Sequence, residues 1–451
     1  MSNAEKQYID LFTQQEQLIC SHAPEPMNAL RLQALAHFEK EGFPSLKSED
    51  YRYTDITKAF SYNYGLNLNR LAVSVNPYDA FRCDVPNLST SLYFVINDSF
   101  YTQIVPKATL PDGVYVGDMH GFARLYPDKA AHYYGKAVST EKDVIAALNT
   151  MLVQDGFVIY IPENVKIERP IQLVNIFRSD VDLMANRRIL VIMEQHSEAK
   201  LLVCDHSIDD NVKFLGTQVV EIFAGEGAFF DYYDLEESSI STVHFSSIYV
   251  KQAAKSNVLV NGITLNNGLT RNSYHISLEG EYAEATLCGM AIQDRNQHVD
   301  TFSHITHGVP NCTSTELFKN VLDDQSTGVF NGRILVEKDA QKTMAYQTNR
   351  NMCMTREAHM YSQPQLEIYA DDVKCSHGMT TGQLDEQALF YMQSRGLSYE
   401  EARLMLSVAF TSDVIEYVRL DALKDRLHHL VEKRFRGELA RCADCRAYKC
   451  T

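Results

Sequence analysis

The chain predicts a mainly β protein with helical ends, and three observations carry that prediction. From about Ser91 onward, short apolar or alternating runs recur about every 8–12 residues, separated by Gly, Asn, Asp and Ser. The N-terminal segment and the stretch after Gln383 instead space their apolar residues at helical intervals. Asn-Gly pairs, a strong hairpin signal when they separate two strands, fall inside strand-like runs at Asn261–Gly262 and Asn331–Gly332. That placement fits a sandwich or meander poorly. It fits better with a solenoid, in which each strand stacks on the next coil rather than on its sequence neighbour. No strict repeat is present, so the pattern by itself leaves the sandwich and barrel open.

The elements follow in order. Tyr8, Leu11, Phe12 and Leu18 mark a first helix. Met27–Glu41 forms a second amphipathic run with Leu30, Leu32, Leu35 and Phe38, closed by Gly42 and Pro44. GFPSLKSEDYRYTDI is then a polar connector laced with aromatics. This helical region and connector occupy residues 1–90, and a β core occupies 91–382. One helical insert interrupts the core at 142–152, with Val144, Ile145, Leu148 and Leu152 on one side. Strands are expected at SLYFVIN, TQIV, VYV, FVIYIP, PIQLVNIF, RILVIME, AKLLVCD and onward to NGRILVE. Residues 383–451 return to helix. Asp385 is a candidate N-cap, Gly396 a stop, and Ser398 with Glu401 a capping box. A longer helix near Ser412–Phe435 carries Leu420, Leu423, Leu427 and Leu430 on one stripe.

A net charge of −16 argues against nucleic acid, which needs clustered Lys and Arg. No run of apolar residues is long enough to span a membrane, and no basic amphipathic segment suits a membrane surface. The N-terminal MSNAEKQYIDLFTQQEQL has no apolar core of a signal peptide, so a cytoplasmic protein is expected. The ten cysteines lack a dense framework and are expected to be reduced thiols.

The chemistry-bearing candidates are few. In PQLEIYADDVKCSHGMTTG, residues 364–382, a strand places Cys375 and His377 on one face and Asp372 and Lys374 on the other. The strand is expected to lead into a polar turn at Ser376–Gly378, with Met379–Gly382 exposed. A thiolate and an imidazole suit iron or zinc, but two ligands are too few for a site. The bland alternative is a buried thiol beside a hydrogen-bonded core histidine. His298, His304 and His307 in HVDTFSHITHG do not share strand parity, and ladder positions on a sheet explain them better than a metal. The tail RCADCRAYKC offers Cys442, Cys445 and Cys450 as a candidate thiol or metal element, but its CxxC lacks a second CxxC. There is no P-loop, no GxSxG elbow and no dinucleotide fingerprint. Gly225-x-Gly227 comes nearest, but Phe230 stands where a third glycine is needed.

The succession QHVDTFSHITH, VFNGRILVEKDAQKTMAYQTNRNM and PQLEIYADDVKCSHGMTTGQLDEQALFYMQSRG closely resembles the SufB/SufD family, scaffold subunits of a cytosolic iron–sulfur cluster assembly machinery. The likeness is strong over Gln297–Val418. It is weaker through the rest of the β region and at SEDYRYTDI, which looks like the family's Glu-Asp-Trp-Lys-Tyr-Thr stretch. Within the family, KCSHG is similar to the SufD-like branch. The resemblance implies a right-handed parallel β-helix core between helical N- and C-terminal domains. It implies a complex with a SufB-like paralogue and a SufC-like ABC ATPase, the latter docking on the helices after Gln383. It also implies that His377, with Cys375 beside it, serves cluster assembly at the SufB interface. No tightly bound cofactor is implied, only transient iron or a nascent cluster at that seam, and the sulfur-accepting cysteine belongs to the SufB-like subunit. The chain departs from the family in having Tyr51–Arg52 for Trp-Lys, no Trp at all, and the three-cysteine tail.

The expectation is therefore a non-catalytic scaffold, with homodimerisation of the isolated chain as a further expectation. The alternatives are a β-helix enzyme acting on polysaccharides and a purely structural, self-associating β-helix. Against the first, no carboxylate pair stands out as acid and base.

Overall fold

A computed structural model of the chain describes residues 2–73, 75–77, 89–102, 110–209 and 211–438. Its centre is a parallel β-solenoid. Strands alternate between two sheets, so that Glu198–Ser207, Phe229–Glu237, Asn257–Asn266, Glu284–Gln293, Thr313–Leu322, Met344–Cys353 and Lys374–Gly382 stack in one sheet. Leu183–Met193, Phe214–Ala224, Thr242–Gln252, Leu269–Leu278, His298–His307, Thr327–Val336 and His359–Ile368 stack in the other. All these pairings are parallel, as they must be when each strand meets its counterpart one coil later rather than its sequence neighbour. One ladder runs through Glu198, Phe229, Asn257, Glu284, Thr313, Met344 and Lys374. Its steps are unequal, so the sequence shows no strict repeat although the architecture repeats.

Alternation decides what lies inside. On these strands every second residue points between the sheets, and Leu201, Tyr232, Val260, Leu287, Ile305 and Ile334 join there in one apolar core. The Asn-Gly pairs inside strands are explained by packing. A Cβ on Gly262 would lie 2.2 Å from the Tyr274 hydroxyl oxygen, so glycine makes room for a ring inside the coil.

The helices cover the outer faces. Asn3–Ser21, capped at both directions of its first turn by Ser2 and Glu5, packs with Arg31–Glu41 and the insert helix Val144–Leu152 against Met184, Leu215 and Phe245. At the other face, Tyr399–Glu416 and Asp421–Phe435 set Val414, Ile415, Leu423, Leu427 and Leu430 against Leu259, Ile263 and Met290. Lys319 to Asp413 (2.5 Å), Arg419 to Asp231 (3.0 Å) and Arg434 to Asp294 (2.7 Å) pin these two helices to the sheet. Among the described residues, no helix is long and apolar enough to cross a membrane.

The structure corrects several expectations. The run Met27–Glu41 breaks into Glu25–Asn28 and Arg31–Glu41, and Leu32 points to solvent. Two further helices, Met119–Leu125 and Pro127–Tyr133, interrupt the β region ahead of the 142–152 insert; Asp118 caps the first and Pro127 opens the second. The helix expected from Ser412 is the end of Tyr399–Glu416, and Leu420 is not on its stripe but stands as the N-cap of Asp421–Phe435. The run 364–382 is not one strand. His359–Ile368 ends one coil face and Lys374–Gly382 begins the next, with Asp372 in the corner between them, and Ser376–Gly378 lies within that second strand. The expected TQIV strand falls largely outside the described residues.

The SEDYRYTDI connector lies flat on the outer face of the sheet that holds His298–His307. The Tyr51 ring covers the Arg271 guanidinium at 4.0 Å, and Arg271 is paired with Asp300, both buried. Thr54 Oγ1 donates to Asp300 and meets His298 Nε2 at 2.9 Å. Tyr53 stacks on Tyr361 with centroids 3.8 Å apart, and Gln365 donates to Glu49 at 2.8 Å. With Asn331 Nδ2 donating to Asp50 at 3.3 Å, one strap thus ties four successive coils. Removing one partner of a buried ion pair strands the other charge. Asp300→Ala is therefore expected to cost about 3–5 kcal/mol in a denaturant unfolding measurement, with the midpoint falling accordingly.

Candidate functional site

A solenoid has two ends, and here they differ. At the N-terminal end, antiparallel partners close both sheets: Ser99–Phe100 pairs with Ser91–Ile96, and Tyr115–Asp118 with Phe157–Ile161. At the other end, His359–Ile368 and Lys374–Gly382 each pair on one side only among the described residues. Thr327–Val336 is largely buried, whereas His359–Ile368 is largely half-buried and Lys374–Gly382 largely exposed. Around them Met344, Tyr346, Tyr361, Ile368, Tyr369 and Met379 present apolar surface to solvent. A Cβ built on Gly378 or Gly382 meets no atom within 4 Å. An uncovered parallel edge with apolar side chains is a template for another chain.

Cys375 and His377 sit on this terminal strand, opposite Ala345 and Gln347 of the strand below. They share the inward parity, as the spacing predicts. Their surroundings differ. Cys375 continues a column of small residues, Ala285, Ser314 and Ala345, and packs against the core; burial pushes its thiol up, which favours the protonated form. His377 is exposed at the mouth. The bland reading thus holds for the packing of Cys375 but not for His377.

Below His377 the same column reads Gln347, Glu316, Leu287, Val260, Tyr232 and Leu201. It is apolar until its last three places. Glu316 is buried between the sheets, accepting from Ser303 Oγ at 2.5 Å and from Gln347 Nε2 at 2.8 Å. Burial raises its pKa to about 7, against the opposing pull of those two donors. Alongside runs an amide ladder in which Asn320 Nδ2 donates to Asn351 Oδ1 at 2.8 Å, and Ser362 Oγ donates to Asn349 Oδ1 at 2.8 Å. This column therefore turns polar toward the open end. The sequence reading missed Glu316 and Gln347. The signal was available: Glu316 shares strand parity with Phe318, a core residue.

The other candidates fall elsewhere. His298 and His304 face outward beneath the N-terminal connector and its neighbours, and His307 faces inward, where it meets Ser314 Oγ at 2.8 Å. Burial lowers the pKa of all three, His307 to about 4. Among the described residues, no group of three His, Cys, Asp or Glu side chains could hold a metal ion. Cys442, Cys445 and Cys450 lie outside the described residues.

Comparison with known proteins covers most of the chain. Residues 176–410 match the family described as the SUF system FeS cluster assembly, SufBD core domain, and residues 2–173 match the SufBD protein N-terminal region. An iron–sulfur cluster assembly SufBD family protein of Synechocystis is 27% identical, covering 87% of each chain. The chloroplastic protein ABCI7 of Arabidopsis thaliana is 28% identical over 95% of this chain and 92% of its own. The iron–sulfur cluster assembly protein SufD of Escherichia coli is 26% identical over 90% of this chain and 92% of its own.

The raised carboxyl of Glu316 has a stability consequence. The folded chain holds a proton that the unfolded chain releases near pH 4.5, so stability falls as pH rises from there through about 7. Glu316→Gln removes that loss. Thermal unfolding from pH 5 to pH 8 should show the variant gaining on the native chain by up to roughly 3 kcal/mol.

Proposed function

This chain belongs to the SufBD family of iron–sulfur cluster assembly proteins and is SufD-like, and we propose that it works there as a scaffold subunit. A SufB-like paralogue completes its open solenoid end, and a SufC-like ABC ATPase docks on its C-terminal helices. The observation that carries this reading is the uncapped terminal coil bearing His377. Two backbone edges stand ready for strand addition, and the apolar side chains around them would be buried by it. His377 offers one nitrogen ligand at that seam, which suits iron or a nascent cluster as transient cargo only when the partner adds donors. Cys375 lies two residues earlier on the same strand and packs against the core, and its raised thiol would need the cargo's own charge to ionise it.

The ATPase side rests on a different surface. Glu386–Ser394 follows directly on the terminal strand and leaves Phe390 73% and Tyr391 59% exposed. Exposed aromatics of that size are common anchors in protein interfaces. A force on this helix is transmitted through only Gln383–Asp385 to the strand that carries His377.

His377→Ala is the direct test. In a strain that depends on this subunit for iron–sulfur assembly, the variant should fail to restore cluster-dependent growth. The purified protein should stay folded, because the side chain stands at the exposed mouth, and it should still co-purify with the paralogue. Full complementation by the variant would remove His377 from the reading.

A further inference from the structure

The column that ends at His377 holds an acceptor with nothing to accept. Glu316 and Gln347 are each 1% exposed. The carboxylate of Glu316 takes the Gln347 Nε2 at 2.8 Å and the Ser303 hydroxyl at 2.5 Å. Above about pH 7, where Glu316 is ionised, that pairing fixes which end of the carboxamide is nitrogen, since only Nε2 can donate to a carboxylate. Gln347 Oε1 is left buried and without a partner. An orphaned acceptor of this kind is costly, so a place this well built implies a donor. The space for the carboxamide is itself prepared. Gly332 faces it from the other sheet, and a Cβ there would lie 2.5 Å from Gln347 Nε2.

The next side chain along the ladder from Gln347 is His377. Neighbouring strands lie about 4.8 Å apart, within reach of a hydrogen bond between two such side chains. Glu316 stands on one side of Gln347 and holds its Nε2, and His377 is its neighbour on the other side. We infer that Glu316 and Gln347 are positioning residues for His377: the Gln347 carbonyl oxygen accepts from one ring N–H, fixes the tautomer, and presents the other ring nitrogen with its lone pair to the open end. This rests on the reading of His377 as a ligand at the seam. Histidines that bind metals are commonly oriented this way by a carbonyl or carboxylate behind the ring. A neutral carboxamide relayed to a buried carboxylate supplies that acceptor without placing a full charge at the mouth.

The test is NMR of the full chain labelled with ¹⁵N in its histidines, with His377→Ala used to assign the ring signals. In the native chain at neutral to alkaline pH, the neutral His377 ring should show one fixed tautomer. Gln347→Leu should convert it to an exchanging mixture, and Gln347→Glu, which keeps an acceptor oxygen, should restore the single tautomer. Cluster assembly should fall about 10-fold in Gln347→Leu and recover in Gln347→Glu. Should Gln347→Leu fail to fold, Gly332→Ala displaces the same carboxamide and should loosen the tautomer likewise. A His377 tautomer that is unfixed in the native chain, or unchanged in a folded Gln347→Leu or Gly332→Ala variant, overturns the inference. Failure of the underlying reading is separate: it shows as full assembly by His377→Ala, whatever the tautomer does.

Discussion

A coil of a parallel solenoid satisfies its backbone only through the coils above and below it, and every other feature of this protein answers to that constraint. Within the stack the condition is met without special devices, because each strand both donates to and accepts from the strands on either side, alternate residues facing each neighbour. At the ends it fails. The N-terminal end is closed by two antiparallel strands drawn from the chain itself. The C-terminal end is left with two unpaired edges among the described residues, and the histidine singled out by the sequence is on one of them.

The helices follow from the same constraint. A sheet in a solenoid has an outer face as well as an inner one, and its apolar outer residues require cover. The N-terminal helices take one face and the C-terminal pair takes the other, each held by buried contacts to strands in the middle of the stack. The SEDYRYTDI strap reaches farther, to Tyr361 and Gln365, but on one face only. Beyond the helices the last coil is uncovered, which leaves its edges and the apolar residues around them accessible. The polar turn of the interior matches this geometry. Glu316, Gln347 and the asparagine ladder lie in the last coils, where the column below His377 ceases to be apolar.

Much of this was legible in the residues. Strand character came from alternation, the helical ends from their caps and stripes, and the solenoid was favoured by Asn261–Gly262 and Asn331–Gly332 sitting inside strands. The pairing of Cys375 with His377 on one face also followed from strand parity. What could not be read was anything that depends on coil length. The ladder from Glu198 to Lys374 advances by unequal steps, so no pattern tells that Glu316 stacks on Gln347 and Gln347 on His377. Coil corners are equally hidden, which is why 364–382 reads as a single strand. The contacts of Tyr51 and Thr54 with Arg271 and Asp300 join residues far apart in sequence and leave no local trace. The family resemblance placed His377 at a seam, and the uncapped coil shows what kind of surface it stands on.

The central claim is that the terminal coil is completed by another chain. Hydrogen–deuterium exchange measures it directly, on this chain alone and on the chain assembled with a SufB-like paralogue and a SufC-like ATPase. The account predicts that amides in Lys374–Gly382 and His359–Ile368 exchange much more slowly in the assembly, while those of the already capped Ser91–Ile96 strand do not change. Unchanged exchange in the two terminal strands, with protection confined to some other surface of the assembled chain, would contradict it.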